Sequence, residues 1–253
     1  MLSSTLLKQY LLYINRNTYL QKLKCIQWMN KKAPSKEAYC PTSVEHIANI
    51  ITHGIWIIPS ISAALELISR SKDADHMLSA IVYGATLIFV FSVSTSFHCV
   101  FFCKKYGQLK DVLHRCDRAM IYVFIAGSYF PWLTLEKLPH EGWSSQMRWI
   151  VWFLAIAGIT YQQIFHEQYK MLETIFYLVM GVGPVFPIIC EHTFKGITEL
   201  SIGGLLYLIG IVFFKSDGRL PFAHAIWHLF VVSAAYAHYY AILNYLYPLP
   251  TTD

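Results

Sequence analysis

The sequence predicts an all-α membrane protein: a polytopic bundle of seven transmembrane helices with a cytosolic N-terminus and a lumenal or extracellular C-terminus. Of its 253 residues, 55% are hydrophobic and only 14% are charged. Soluble domains carry charge on about a quarter of their residues. The charged residues are also crowded between long apolar runs, and a membrane-spanning helix needs about 20 mostly apolar residues.

Seven apolar stretches follow one another along the chain, and each is interpreted as one spanning helix. They cover residues 47–68, 77–103, 120–135, 149–165, 172–190, 200–214 and 222–245. The domain prediction is therefore a basic N-terminal arm over residues 1–46, the bundle over 47–246 and a short tail over 247–253. Lys8, Asn15 and Arg16 interrupt the apolar start of the arm, and no small-residue cleavage site follows. This pattern favours an interfacial arm over a cleaved signal peptide.

The distribution of Lys and Arg predicts the orientation. Seven spans place fifteen of the 20 cationic residues on the N-terminal side of the membrane and five on the other. Cytosolic loops carry such an excess, so the N-terminus is predicted to face the cytosol. A basic face beside anionic lipid headgroups accounts for the net charge of +5 without nucleic acid. All of the six cysteines except Cys190 fall on or near the reducing side, which disfavours a disulfide framework.

Three histidines form the predicted metal site. His98 lies near the end of the second predicted helix, whereas His224 and His228 lie at the start of the seventh. The last two are four residues apart and share one helix face. Because the second and seventh helices run in opposite directions, all three imidazoles reach the cytosolic layer. Three imidazoles with an open fourth position are typical of hydrolytic zinc sites, so zinc is the predicted cofactor.

Other polar residues are predicted at the same depth. Ser94 precedes His98 by four residues, and Asp117 stands at the entrance of the third predicted helix. Both are candidate catalytic residues, Asp117 as a proton acceptor and Ser94 as a hydrogen-bond donor. The first helix adds three polar residues at successive i, i+4 positions, which would surround the metal ligands and orient them. These residues are Glu45, Asn49 and His53.

Each of these residues also has a simpler interpretation. A single histidine in a spanning helix, such as His53 or His238, is often a hydrogen-bonded packing residue. Glu45 and Asn49 could cap the first helix, and Ser94 could bond back to its own helix.

Cysteine ligands and haem are alternatives to a zinc site of three histidines. Cys103 or Cys116 could replace a histidine and would make a tighter, less hydrolytic centre. Bis-histidine haem lacks a second histidine a bilayer depth from His98. Pro184 and Pro187 interrupt the fifth predicted helix, either to open a path for an acyl chain or as an ordinary packed kink.

Four segments of the chain resemble the progestin and adipoQ receptor family, which includes the haemolysin III proteins. They are PTSVEHIANIITH, SVSTSFH, DRAMIYVFIAGSYFPW and FFKSDGRLPFAHAIWHLF. Within that family, the chain is most similar to the monocyte to macrophage differentiation factor branch. The resemblance covers approximately residues 28–247.

The resemblance implies seven helices and a cytosolic N-terminus. It also implies zinc held by His98, His224 and His228, with Asp117 orienting the reacting water and Ser94 close by. Related receptors and alkaline ceramidases suggest hydrolysis of a lipid amide or ester that enters from the membrane. The branch itself implies Golgi or late endosomal and lysosomal membranes, with the plasma membrane as the alternative. It further implies links to Ras and ERK signalling, macrophage activation and the handling of polyunsaturated acyl chains.

The sequence is therefore compatible with three functions. The first is a zinc-dependent intramembrane lipid hydrolase. The second is a non-enzymatic receptor or scaffold with structural zinc, whose basic arm and 104–118 loop would bind signalling or lipid-metabolism proteins, or anionic lipid. The third is a metal or proton pathway, which is ranked last because the lumenal half offers little besides His238. The expected partners are membrane lipids and a lipid substrate, and no nucleic acid.

Overall fold

The structure is a computed structural model that describes residues 26–103, 107–136, 143–185 and 195–249. Within these ranges the chain is helical and contains no strand, which confirms the all-α class. The predicted arm before residue 26, together with Pro187 and Cys190, lies outside the described residues. The helices are α1 (Ser43–Gly54), α2 (Ile57–Ser69), α3 (Ala74–Cys103), α4 (Gly107–Leu135), α5 (Trp143–Ile164), α6 (Lys170–Val182), α7 (Ile197–Phe214) and α8 (Ala223–Ala241), which continues into a π-helical turn (Ile242–Leu246).

The first span consists of two consecutive helices. Helix α1 begins after Thr42, whose hydroxyl accepts a hydrogen bond from the Glu45 backbone N–H while the Glu45 carboxylate accepts one from the Thr42 N–H. This capping box satisfies two backbone donors at the helix start, so α1 begins at Ser43, before the predicted boundary at residue 47. Ile55 and Trp56 then separate α1 from α2. The pair together forms a single apolar span, Ser43–Ser69.

Counting α1 and α2 as one, the described residues contain seven helical segments. Four of them are long and apolar enough to cross a membrane: Ser43–Ser69, Ala74–Cys103, Ile197–Phe214 and Ala223–Leu246. Large apolar side chains point outward on several helices; Ile58, Phe153 and Val212 are 75%, 70% and 63% exposed. Water would penalise these surfaces, whereas the hydrocarbon of a bilayer would not.

Helix α4 differs from the sequence prediction. It begins at Gly107, thirteen residues before the apolar stretch predicted at 120–135. Hydropathy locates the apolar part of a helix, but the backbone hydrogen bonds continue through the polar turns ahead of it. Asp117 therefore lies inside α4 and not at its start.

Packing around α3 and α8 positions the candidate site. Helix α3 packs against α1, α2 and α4, while α8 packs against α1 and α7. A buried cluster that includes Phe91 of α3, Phe124 of α4 and Val231 of α8 joins these helices at mid-depth. The start of α1, the end of α3, the first turns of α4 and the start of α8 consequently meet at one end of the bundle, called here the site end.

Candidate metal centre

Three histidines meet at the site end. His98 comes from the last turns of α3, and His224 and His228 come from the first turns of α8. One ligand nitrogen from each lies within 4.8 Å of the other two. Zinc takes imidazole nitrogens at about 2.0–2.1 Å, so small side-chain shifts would bring all three nitrogens onto one ion.

The surroundings of His98 support a metal. Both ring nitrogens of His98 are buried and have no hydrogen-bond partner among the described residues. A buried, unpaired polar group costs free energy, and native structures rarely keep one without a reason. Coordination by a metal would satisfy one of these nitrogens, and the residues present therefore fit the predicted ion.

A hydroxyl from α1 orients His228. The Thr52 hydroxyl donates to the Ala48 carbonyl at 2.8 Å and lies 3.0 Å from His228 Nδ1. Since its hydrogen is already used, the Thr52 oxygen accepts from the Nδ1–H of His228. That bond fixes the tautomer and leaves the Nε2 lone pair free to bind a metal.

A carboxylate orients His224 in the same way. Asp217 lies in the connection between α7 and α8, and its Oδ2 is 3.3 Å from His224 Nδ1. An Nδ1–H donated to this carboxylate leaves Nε2 of His224 available for a metal. Sequence reasoning missed both Asp217 and Thr52. An acid in the short loop just before the ligand helix was a usable signal for Asp217; Thr52 carried none beyond its place beside His53.

His53 and Ser94, both predicted, contact each other next to the ligands. His53 Nδ1 lies 2.9 Å from the Ser94 hydroxyl oxygen. The His53 ring is stacked on His228, with ring centroids 3.6 Å apart and planes at 15°. All three side chains are buried. Ser94 therefore bonds across to α1, which argues against the alternative that it only bonds back to its own helix.

Asp117 lines one cavity together with Ser94, His224 and His228. Its carboxylate interacts with the Ser94 hydroxyl and with the charges of His224 and Arg118. The two candidate catalytic residues are thus neighbours beside the three histidines.

Glu45 and Asn49 lie farther from the ligands. The Glu45 carboxylate accepts hydrogen bonds from the Tyr39 hydroxyl at 2.8 Å and from the Phe222 N–H at 3.4 Å, in addition to its capping bond. Phe222 precedes α8 with a φ of 58°, a left-handed conformation that a non-glycine residue rarely adopts. Glu45 therefore caps α1 and also holds the start of the helix that carries His224. Asn49 is buried, and its side-chain amide has no hydrogen-bond partner among the described residues.

A second histidine cluster lies where the α5 to α6 connection meets α4. His114, His166 and Glu167 are close enough to hold a metal by distance alone. However, Lys170 lies 2.6 Å and Arg118 3.6 Å from the same Glu167 carboxylate. Two cations on one carboxylate disfavour a third. The ring nitrogens also bond in a chain, from the Gln162 amide to His166 and from His166 to His114.

A cavity of about 430 Å³ extends from the histidines into the bundle. Its site end is polar, whereas its length is mostly apolar, with Ile125, Leu178, Leu205 and Val231 among the lining side chains. Pockets of this size hold small organic ligands. Gly181 of α6 and Gly204 of α7 also line it, and a Cβ added at either would meet nothing within 4 Å.

Comparison with known proteins shows similarity over most of the chain. A family model for haemolysin-III related proteins matches residues 42–239, a range that contains every predicted site residue. The chain is 46% identical to human monocyte to macrophage differentiation factor over 226 residues, which covers 89% of this chain and 94% of that protein.

Two more distant relatives extend the similarity. The chain is 34% identical to the hemolysin-3 homolog of Bacillus subtilis (strain 168) over 215 residues, covering 83% of this chain and 98% of that one. It is 28% identical to the adiponectin receptor protein of Drosophila melanogaster over 224 residues, covering 77% of this chain and 49% of that one.

Proposed function

The chain belongs to the haemolysin III family of membrane proteins, which also includes the progestin and adipoQ receptors, and we propose that it is a zinc-dependent hydrolase of a lipid amide or ester. We further propose seven membrane spans, with the site end facing the cytosol. The excess of Lys and Arg on that side supports this orientation. Golgi or late endosomal and lysosomal membranes are the proposed location, and the plasma membrane is the alternative.

One observation carries the proposal: His224 and His228, two of the three grouped histidines, line the same cavity as the apolar side chains. A lipid amide or ester has a polar carbonyl joined to a long apolar chain. A chain placed along Ile125, Leu178 and Leu205 would bring its carbonyl to the histidine end. A purely structural metal needs no such space beside it.

His98, His224 and His228 would hold the ion, with Thr52 and Asp217 fixing the tautomers of the two α8 histidines. Bound there, zinc would supply a Lewis acid for the carbonyl and a lowered pKa for water. Asp117 lies on the same wall and would accept the proton of the attacking water.

Ser94 would help to stabilise the charge that develops on the carbonyl oxygen. With the Nδ1–H of His53 donated to Ser94, the Ser94 hydroxyl keeps its own hydrogen for a second partner. That partner is the Asp117 carboxylate in the resting site and the substrate oxygen during the reaction. The buried apolar walls would exclude bulk water and strengthen each of these interactions.

The second candidate function is a receptor or scaffold without turnover, in which zinc ties α3 to α8. The segment over residues 26–41 favours it, because this segment crosses the site end. Trp28 packs edge-on against Phe222, and the backbone of Lys32 lies so close to Gly218 that a Cβ there would be 2.4 Å from it. Its neighbouring cations could bind signalling or lipid-metabolism proteins at this face.

The test uses purified full-length protein. We expect zinc in the wild type and hydrolysis of ceramide-like amides or phospholipid esters. Asp117→Asn should keep the zinc and lose turnover by about 10²–10⁴-fold, whereas His228→Ala should lose both. A zinc-loaded wild type that hydrolyses neither substrate class, together with an unchanged lipid profile in cells carrying Asp117→Ala, would support the scaffold instead.

A further inference from the structure

His238 lies on the cavity wall well away from the metal site. It follows His228 by ten residues on α8, a rise of about 15 Å at the helical spacing. The residue lines the same cavity as His224 and His228. Its ring Nε2 is buried and has no hydrogen-bond partner among the described residues.

Tyr207 of α7 offers a second unpaired group at the same place. Its hydroxyl is buried without a partner within the described part of the chain, and the residue also lines the cavity. The rings of Tyr207 and His238 are 5.7 Å apart. Two helices therefore place buried, unpaired polar groups beside one region of the cavity.

Close helix packing holds the His238 ring in this position. A Cβ on Gly203 would lie 2.5 Å from Cδ2 of His238 and 2.6 Å from its Nε2, so only glycine lets α7 approach this closely. A leucine or phenylalanine at positions 207 and 238 would fill the same space without leaving polar atoms unpaired. Simple packing does not explain this pair of residues.

We infer that Tyr207 and His238 form a second polar subsite, which binds a hydroxyl group carried part-way along the acyl chain of the lipid. The inference rests on the proposed acyl-binding role of the cavity. A hydroxyl both donates and accepts a hydrogen bond, so it can satisfy Tyr207 and His238 together in either tautomer of the His238 ring, whereas a ketone oxygen does so only when Nε2 of His238 carries hydrogen.

The spacing specifies where that hydroxyl stands. A carbon–carbon bond of about 1.5 Å advances an extended chain by only about 1.25 Å along its axis, because the chain zigzags. A separation of about 15 Å therefore corresponds to roughly twelve bonds. With the carbonyl carbon, carbon 1, at the three histidines, the hydroxyl would lie near carbon twelve or thirteen. The ligand class is therefore a long-chain lipid hydroxylated in mid-chain.

Displacement of a fluorescent fatty acid from purified full-length protein tests this subsite. The competitors are stearate, 12-hydroxystearate and 2-hydroxystearate. We expect 12-hydroxystearate to bind about tenfold more tightly than stearate, the effect of one or two new hydrogen bonds. The 2-hydroxy acid should gain nothing at the Tyr207 and His238 subsite.

Two variants assign the preference to residues. Tyr207→Phe removes only the hydroxyl and should abolish the preference for 12-hydroxystearate over stearate. His238→Leu should abolish the same preference. Tyr122→Phe is the matched control, because the Tyr122 hydroxyl is likewise buried and has no partner among the described residues but lies outside the cavity lining.

The outcomes separate this inference from the proposed function. Equal binding of stearate and 12-hydroxystearate by the wild type would overturn the subsite and leave the acyl cavity standing. A preference that survives in both Tyr207→Phe and His238→Leu would overturn it as well. Binding of none of the three acids would overturn the subsite and the acyl-binding role together.

Discussion

The imidazole of His53 lies parallel to that of His228, with ring centroids 3.6 Å apart, while its Nδ1 is 2.9 Å from the Ser94 hydroxyl oxygen. One side chain of α1 thus contacts a candidate metal ligand on α8 and a candidate catalytic residue on α3. His53 therefore sets the position of both, although it belongs to neither group.

Replacement of His53 should separate these two contacts. We expect His53→Ala to weaken zinc binding about tenfold, because loss of an orienting neighbour typically costs 10–100-fold in metal affinity. His53→Phe keeps a ring against His228 and should retain most of the affinity, but it loses the bond to Ser94 and should slow turnover. Competition with a chelator and a turnover assay measure the two effects. Unchanged zinc affinity in His53→Ala would contradict the positioning role.

Asp217 should control how tightly His224 binds metal. Its carboxylate is 3.3 Å from His224 Nδ1. We expect Asp217→Ala to lower zinc affinity about 10–100-fold, and Asp217→Asn, which keeps an acceptor oxygen, to lower it less. Asp111→Asn is the charge control, since Asp111 is exposed and pairs only with Lys110 among the described residues. A similar loss of affinity in Asp111→Asn would show that only net charge matters.

Larger side chains at the two glycines that line the cavity should block lipid binding without unfolding the bundle. Gly181 and Gly204 have open space where a Cβ would stand. Leucine is also favoured over glycine inside a helix by up to about 1 kcal/mol. Gly204→Leu and Gly181→Leu should therefore keep thermal stability and zinc content but lose fatty-acid binding and turnover.

Gly107→Leu is the matched control for these cavity variants. A Cβ at Gly107 also meets nothing within 4 Å, and this residue lies outside the cavity lining. Fatty-acid binding that persists in both cavity variants would place the acyl chain elsewhere.

Glu167 should make stability depend on pH. Burial raises the pKa of its carboxyl, but Arg118 and the hydrogen bond from Lys170 outweigh burial and lower the pKa to about 2. An unfolded glutamate titrates near 4.3. The stabilisation is therefore fully present above about pH 4.3 and is lost as the pH falls through about 2.

The measurement is the thermal unfolding of Glu167→Gln against wild type. We expect a deficit of about 1–3 kcal/mol at pH 7 that shrinks steadily below pH 4. Glu66→Gln, which breaks a half-exposed pair with Arg70, should cost less. A deficit in Glu167→Gln that stays constant down to pH 3 would refute the ionic explanation.

The convergence of His98, His224 and His228 could be predicted because it follows from local rules. The i, i+4 spacing places two imidazoles on one helix face, and antiparallel helices bring the end of one beside the start of the other. Thr52 could not be identified in this way, because its hydroxyl meets His228 only through the packing of α1 against α8. The role of Asp217 likewise depends on the path of the connection between α7 and α8.

The cavity could not be predicted from the sequence. Gly181 and Gly204 look like weak helix positions in the printed chain, and only the structure shows open space in front of them. The predicted start of α4 was wrong because hydropathy locates the apolar part of a helix, whereas the backbone hydrogen bonds extend through the polar turns before it. The two interpretations of Glu45, as a cap of the first helix and as an orienting residue, could be resolved only with the α8 N-terminus in place, since the carboxylate caps α1 and also accepts from the Phe222 N–H.

The bond from Glu45 to the Phe222 N–H has a consequence for how a cell makes the protein. Helix α8 leaves the ribosome last among the described helices, so Glu45, Thr52 and His53 make their contacts with Phe222 and His228 only after most of the chain is synthesised. Any metal held by His224 and His228 can bind only after α8 is inserted. A nascent chain that stops before α8 lacks two of the three candidate ligands and leaves the His53 ring without its stacking partner.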